Sequence, residues 1–460
     1  MDSWFSRIRQ FLGKDNISFY ENILLKRGFS VLLIQFGGLA IVFASNILLA
    51  RLYGEQAYGI YSLVSSWCML LAVLGLFGMD DSHLVQLPAW KLKGENKKIR
   101  QQLKWSLGIN LISIFVITAV FYFILHVAKL PRLSDYAYYF NYGFVLVLFL
   151  AIMNNLISFL RGMDKVIYGE IMDKMARPFF LIILLLVFYY LSKSDLVLDS
   201  LLAAAAGLFF ILILLFFKIQ KTVREIKGTG HESKKNYSLG PNFRYVFLNL
   251  LYFLSTRMDL LLLTLFSDAV LVGHYNVAVK FADVSSYPIA IINLSLPTLL
   301  STVKHEKGKQ AGPLLLYRVS KNSFFQCLLL SGLFVLTGNW ILHWYGKGFG
   351  DAYPILLVFL LSNLITAFIG SADIYFVLEG RENRPIYSRI ASLMLTIALA
   401  FFLIPKWQLM GAAVSMLLGN LLYCALMEYF FFARHRFFIH PFISGNKSAM
   451  GGKQEPESLG

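Results

Sequence analysis

The chain has 460 residues, 57% of them hydrophobic and only 15% charged, with a mean hydropathy of +0.63. Soluble domains carry about 25% charged residues, so an ordinary water-soluble fold is excluded. The apolar residues come in runs of about twenty, the length that crosses a hydrocarbon core of roughly 30 Å. Lys plus Arg (42) exceed Asp plus Glu (26), a balance that would suggest nucleic acid in a soluble protein. Its distribution along the chain assigns it to membrane orientation instead.

The N-terminal stretch MDSWFSRIRQFLGK has no continuous apolar region and is not a cleavable signal peptide. Trp4, Ile8, Phe11 and Leu12 at helical spacing, beside Arg7, Arg9 and Lys14, fit an interfacial amphipathic segment over 1–29 as well as a frayed tail. An all-α polytopic membrane protein of about twelve transmembrane helices then follows. Six spans are predicted at 30–50, 57–78, 104–127, 139–160, 177–192 and 198–218, and they form an N-terminal bundle over 30–218. A basic cytoplasmic linker covers 219–244. Six more spans, at 245–266, 270–300, 322–343, 353–377, 386–404 and 410–433, form a C-terminal bundle over 245–433. The long span 270–300 has room to bend at Pro288. The tail 434–460 ends in a Gly-, Ser-, Lys- and Glu-rich stretch expected to be disordered.

The loops give the topology. With the N-terminus in the cytoplasm, 34 of the 42 basic residues fall inside. Outside are only Arg51, Lys129, Arg132, Lys193, Lys347 and Lys406, while Arg257 and Lys280 lie within spans. This satisfies the positive-inside rule with both termini cytoplasmic, and the basic surplus serves orientation and contact with anionic lipid heads rather than nucleic acid. Cys68, Cys327 and Cys424 all fall in apolar spans without CxxC spacing and read as small buried hydrophobes. No Walker, GxGxxG or HExxH motif and no selectivity-filter repeat is present, so ATPase, metalloenzyme and channel readings lose their usual support. No catalytic residue and no metal ligand is assigned.

The chain repeats itself. GIYSLV (Gly59 to Val64) and GHYNVAV (Gly273 to Val279) lie 214 residues apart, each after the outer end of a bundle's first span. LRGMDKVIYGEI (Leu160 to Ile171) and LEGRENRPIYSRI (Leu378 to Ile390) lie 218 apart with one residue inserted. Two matches at nearly one offset support a parallel six-plus-six repeat, which is a transporter architecture.

The seventh and eighth predicted spans depart most from a plain apolar bundle. The stretch RMDLLLLTLFSDAVLVGHYNVAVKFADVSSYP (Arg257 to Pro288) reads as a helical hairpin turning near Ser267 to Val270, with Asp268 in the turn. Arg257, Asp259, Lys280 and Asp283 sit in its apolar arms, where a charge costs several kcal/mol and marks a functional candidate. Antiparallel depth matching sets Asp259 against Lys280 and Arg257 against Asp283. Residues two apart on a helix point about 200° apart, so Arg257 and Asp259 cannot both face a cavity, whereas Lys280 and Asp283 share a face. Two structural ion pairs explain the quartet about as well as a binding site does. The asparagines Asn110, Asn154, Asn155, Asn249, Asn293 and Asn363 also fall in spans, and most such amides bond another helix.

At NILLARLYGEQAYGIYSLVSSWCMLLAVLGLFGMDD (Asn46 to Asp81) the chain resembles the first two helices of the polysaccharide-export branch of the MOP flippase superfamily, the Wzx-type O-antigen and oligosaccharide flippases. The resemblance lies in the LAR-x-x-G turn followed by YG-x-Y. RMDLLLL and VGHYNVAVKF are similar to that family's seventh and eighth helices. LIPKWQLMGAAVSMLLGNLLY (Leu403 to Tyr423) is similar to its final helix pair, with Gln408 where a glycine is common. The resemblance implies a MATE-like V of two bundles around a central cavity. It implies a flippase, not an enzyme, that moves an undecaprenyl-pyrophosphate-linked oligosaccharide across a bacterial inner membrane by ion-coupled alternating access, with no cofactor beyond a coupling H+ or Na+. The expected partners are the bilayer, the lipid-linked oligosaccharide and a polysaccharide polymerase, around a functional monomer.

On that reading Arg257, Lys280 and Arg51 are the candidates for the pyrophosphate. Asp283, Asp259 and Asp373 are the candidates for charge relay, and Asn155, Asn249 and Asn293 for sugar hydroxyls. Arg51 serves equally as an interface anchor, and Asp373 as an edge charge. Asp80 and Asp81 are expected to cap the next segment or to gate the inner side, and His274, beside the hairpin turn, is expected at the surface. The rival readings are a MATE-type drug exporter, which would favour an acidic cavity, and a lipid II flippase, which usually carries two further helices. A membrane glycosyltransferase or polymerase would need a large outside loop, and the longest here is about eleven residues.

Overall fold

A computed structural model describes residues 18–130, 132–191, 195–225, 240–307, 311–435 and 438–439. The predicted amphipathic segment up to residue 17, most of the basic linker (226–239) and the tail from 440 lie outside them. Among the described residues every regular element is helical. In the N-terminal half these are α1 (Ser18–Leu76), α2 (Met79–Leu92), α3 (Asn96–Phe123), α4 (Ala137–Gly162), α5 (Val166–Glu170), α6 (Arg177–Leu191) and α7 (Leu196–Glu225). In the C-terminal half they are α8 (Gly240–Phe266), α9 (Ala269–Ser285), α10 (Tyr287–Lys307), α11 (Ala311–Leu342), α12 (Tyr353–Ile369), α13 (Ala372–Leu378) and α14 (Asn383–His435).

Among the described residues, eight helical runs are long and apolar enough to cross a membrane. Two of them bend midway and serve as two spans each. α1 breaks at Gly54 (φ 87°, ψ 167°) and α14 at Gln408 (φ 45°, ψ −117°). Positive φ is open to glycine at little cost and strained for a side-chain-bearing residue, so Gly54 forms its bend freely and Gln408 does not. The short α6 and the pair α9–α10 occupy the remaining predicted crossings, completing the twelve-span order read from the sequence. The predicted bend near Pro288 is a break at Ser286, where one helix stops and the next begins with Tyr287–Pro288. That placement sets Pro288 in the first turn of the new helix, where its missing N–H would have no intrahelical partner anyway.

By packing, the chain falls into two compact units, one within Met1–Ala278, Asn339–Ile355 and Ile397–Ala412, the other within Val279–Gly338, Leu356–Thr396 and Ala413–Gly460. This division follows packing, whereas the sequence repeat divides the chain at 219–244. In the first unit the buried core includes Tyr58, Leu63, Phe140 and Phe159. Its α3 turns Leu111, Ile112, Phe115, Val116 and Val120 outward, the exposed apolar stripe of a lipid-facing helix. In the second unit Leu296, Leu316, Phe376, Met427 and Phe431 form one cluster. Ile439, beyond the last span, is fully buried in that cluster, and its N–H donates to Glu428 Oε1 at 2.7 Å. The stretch expected to be disordered lies outside the described residues.

Within the first unit the repeat has a direct counterpart. A Cβ on Gly273 would stand 3.0 Å from Gly59 Cα, so the two glycines cross backbone to backbone. One turn further on, Asn276 Nδ2 donates to Ser62 Oγ at 3.1 Å. Each pair is separated by the 214-residue offset read from the sequence. A residue that touches its own repeat equivalent lies on the pseudo-two-fold axis relating the copies.

Candidate functional site

The charged hairpin forms as predicted, with α8 ending at Phe266 and α9 starting at Ala269. Asp268 in the turn accepts from Arg132 Nη1 at 3.0 Å on the surface. In mid-α8 the two charges differ in burial. Asp259 is 2% exposed, while Arg257 is only half-buried. Asp259 Oδ2 accepts the Tyr275 hydroxyl proton at 2.5 Å, and Tyr275 is itself fully buried. Charge matching did not anticipate this partner, because a phenol carries no formal charge to match. Nearby, Trp67 Nε1 donates to Thr264 Oγ1 at 2.9 Å, tying α8 to the second limb of α1.

Lys280 and Asp283 belong to the second unit, and both are half-buried. The end of α9 there is fixed by Asn363, whose Nδ2 donates to the Ala282 carbonyl at 2.7 Å and to Ser285 Oγ at 3.2 Å. Asn293 accepts from the Ser371 hydroxyl. Asp373 is engaged on both oxygens, by the Ile374 N–H at 2.9 Å and by Arg389 Nη2 at 3.2 Å. The Arg389 guanidinium also lies over the Tyr423 ring at 4.8 Å. Arg389 was not singled out in the sequence because it falls in a loop-adjacent basic cluster that the topology rule already explains.

In the first unit Asn110, Asn155 and Asn249 bond neighbouring helices. Asn155 is fully buried and its Oδ1 accepts from Ser106 Oγ at 3.2 Å, with His83 Nε2 3.3 Å away. Its Nδ2 reaches the Asn110 carbonyl oxygen at 2.9 Å, and the Asn110 amide donates to the Leu76 carbonyl at 3.1 Å. Burial holds the His83 imidazole down at about 4. At the same end Asn249 Nδ2 donates to Asp81 Oδ2 at 2.9 Å. Burial, then the neighbouring Asp81 charge, pushes the Asp80 carboxyl up to about 6. Both acids sit in the first turn of α2, where their charge suits the helix dipole, but no side-chain hydrogen bond caps that helix.

Arg51 is bound at the sparsely charged end of the first unit. Its Nε donates to the Trp344 carbonyl at 2.8 Å and its Nη2 to the His343 carbonyl at 2.9 Å. His274 is not at the surface as expected. It is 6% exposed, with Nε2 3.3 Å from Glu55 Oε2 and its ring 4.6 Å from that of Phe349. Glu55 drew no attention in the sequence because it looked like one more loop charge.

A family profile described as polysaccharide biosynthesis protein matches residues 24–303. A comparison with curated sequences finds no significant match. Among solved structures, an inward-facing MATE family multidrug transporter of the MOP superfamily is similar at TM-score 0.71 and 13% identity, over 88% of this chain and 98% of the other. The lipid II flippase MurJ in an inward closed conformation gives 0.65 and 14%, over 87% and 86%. A MOP superfamily transporter from Pyrococcus furiosus, described as having a binding pocket of reverse polarity, gives 0.56 and 14%, over 88% and 97%. At these identities the likeness is one of fold.

Proposed function

The chain belongs to the polysaccharide biosynthesis protein family and has the fold of MOP-superfamily transporters, and from that premise we propose that it is a flippase for a lipid-linked, pyrophosphate-bearing oligosaccharide. It is a multi-pass membrane protein. On this reading the headgroup passes from the cytoplasmic to the outer leaflet of a bacterial inner membrane by ion-coupled alternating access, with both termini inside.

The observation that carries the reading is the asymmetry of α8, in which Asp259 is buried against Tyr275 while Arg257 occupies a half-buried face. A guanidinium at membrane depth suits a pyrophosphate, which it can contact with two parallel charge-assisted hydrogen bonds. Lys280, a compact point charge in the second unit, is the other candidate cation read from the sequence. Arg51 is better read as a tether, since two carbonyls occupy its guanidinium.

The test is flipping of undecaprenyl-pyrophosphate-linked glycan in proteoliposomes. Arg257→Ala is expected to lower the rate at least about tenfold, the effect of losing one charge-assisted contact, while reconstituted protein stays at the wild-type level. A wild-type rate in Arg257→Ala would reject the phosphate site.

A further inference from the structure

Charge counting along the loops treats Lys174 and Arg177 as cytoplasmic, but both lie within a span. A π turn, Ile171–Ala176, joins α5 to α6 with helical backbone at both junctions, so residues 166–191 form one helical run in the first unit. The sequence places this span at 177–192. At 1.5 Å per residue the run is roughly 39 Å long, enough to cross a hydrocarbon core of about 30 Å, and Arg177 stands near its middle.

The charges around it pair off without Arg177. Lys174 Nζ is 2.9 Å from Asp173 Oδ2. Arg161 Nη2, from the end of α4, is 2.8 Å from Glu170 Oε1 and 3.6 Å from Asp173 Oδ2. Arg177 is therefore the surplus cation. Its charge reaches Asp173 and the hydroxyl of Tyr61, on the second limb of α1. Among the described residues neither Arg177 nor the Tyr61 hydroxyl has a hydrogen-bond or ion-pair partner. Arg177 is half-buried, and what exposes it is not the lipid face. The outward apolar stripe of α6 is Phe179, Ile183, Val187 and Tyr190. At 100° per residue Arg177 lies roughly 125° round the helix from the centre of that stripe. In the second copy of the repeat, Ser392 and Thr396 stand where Asp173 and Arg177 do. Both are buried, and their hydroxyls donate to the Gly419 and Ser392 carbonyls. The repeated scaffold thus needs no charge at this place, and an intramembrane guanidinium with no partner marks a functional position.

We propose that Arg177, with the Tyr61 hydroxyl, is a second binding position for the pyrophosphate of the transported lipid, nearer the outer end than Arg257. The proposal rests on the flippase reading above. A guanidinium fork takes two phosphoryl oxygens, and a phenol donates to a third. Helix rise sets the depths. The Leu185 carbonyl accepts the Tyr53 hydroxyl at 2.6 Å beside the Gly54 bend, and Arg177 is roughly 12 Å inward of Leu185. Trp67 is roughly 20 Å inward of the same bend and holds Thr264, and Arg257 is about 10 Å further in along α8. The two guanidiniums are therefore separated in depth by on the order of 10 Å, and they hold the head at different stages of its passage.

The test is binding of labelled undecaprenyl pyrophosphate to the full chain in phosphatidylcholine nanodiscs, with variants that elute as single species. In an Arg257→Ala background, Arg177→Gln is expected to weaken binding about tenfold, the loss of one charge-assisted contact. Arg177→Lys, which keeps the charge without the fork, should fall between the two. Tyr61→Phe should cost about threefold, the loss of one neutral hydrogen bond. Equal affinity in Arg177→Gln and its Arg257→Ala parent overturns the second position, and flipping by the wild type then leaves the flippase reading standing. A bilayer phosphodiester offers similar oxygens, so displacement of the label by an equal amount of phosphatidylglycerol also overturns the proposal and assigns Arg177 to a bilayer lipid. A wild-type protein that neither binds the label nor flips it overturns the transport reading as well.

Discussion

Asp283 and Lys280 stand three residues apart on one face of α9, an acid and a cation at a depth where water is scarce. An ionised acid there costs several kcal/mol without nearby positive charge. When a pyrophosphate engages Lys280, it draws on the positive charge that stands three residues from Asp283. Substrate and proton would then be linked through the lysine, which is how a carboxyl couples two fluxes. Asp283→Asn is expected to leave flipping active and to remove its dependence on an imposed proton gradient. If the gradient dependence of the variant matches wild type in the same proteoliposomes, Asp283 carries no coupling. Asp259 is a poorer candidate, because it is buried and one of its oxygens is held by a buried phenol.

The helices show what the sequence made legible and what it did not. The bend at Gly54 was readable from the LAR-x-x-G turn, and the break before Pro288 from proline chemistry. Gln408 was visible as a departure from a family glycine, but its meaning was not, since only the backbone shows that it holds φ 45°. A side-chain-bearing residue in such a region costs on the order of 1–3 kcal/mol. Gln408→Gly is therefore expected to raise the apparent melting temperature in detergent by about 2 °C, read by scanning fluorimetry. A lower melting temperature would mean that the Gln408 side chain holds the bend. The Asp259–Tyr275 and Glu55–His274 contacts were hidden for a different reason. Hydropathy fixes the depth of a residue but not the rotation of its helix, and rotation decides which side chains meet. Asn155 and Asn249 show the same limit. Each was a candidate for sugar hydroxyls against the commoner role of bonding another helix, and in the first unit they bond Ser106 and Asp81 on neighbouring helices.

At the scale of the whole chain, the crossing at Gly59 and Gly273 is the narrowest fit described between its halves. A Cβ on Gly59 would collide with the Ala269 carbonyl oxygen, which is backbone and cannot swing away. Gly59→Ala should sharply reduce the yield of monodisperse protein, whereas Gly332→Ala, at a site with open space, should not. Equal yields would show that the seam can spread to admit a methyl group. Self-complementarity gives this crossing a further meaning. If two identical six-helix chains met here, position 62 would face a copy of itself, and only a group able both to donate and to accept could satisfy the contact. In a single chain the two positions are separate letters, so serine can accept while asparagine donates, without either serving both roles. The glycines have no such freedom, because the constraint on them is space rather than polarity. Joining two copies in one chain thus lets the chemistry along the axis become directional while its closest approach stays symmetric.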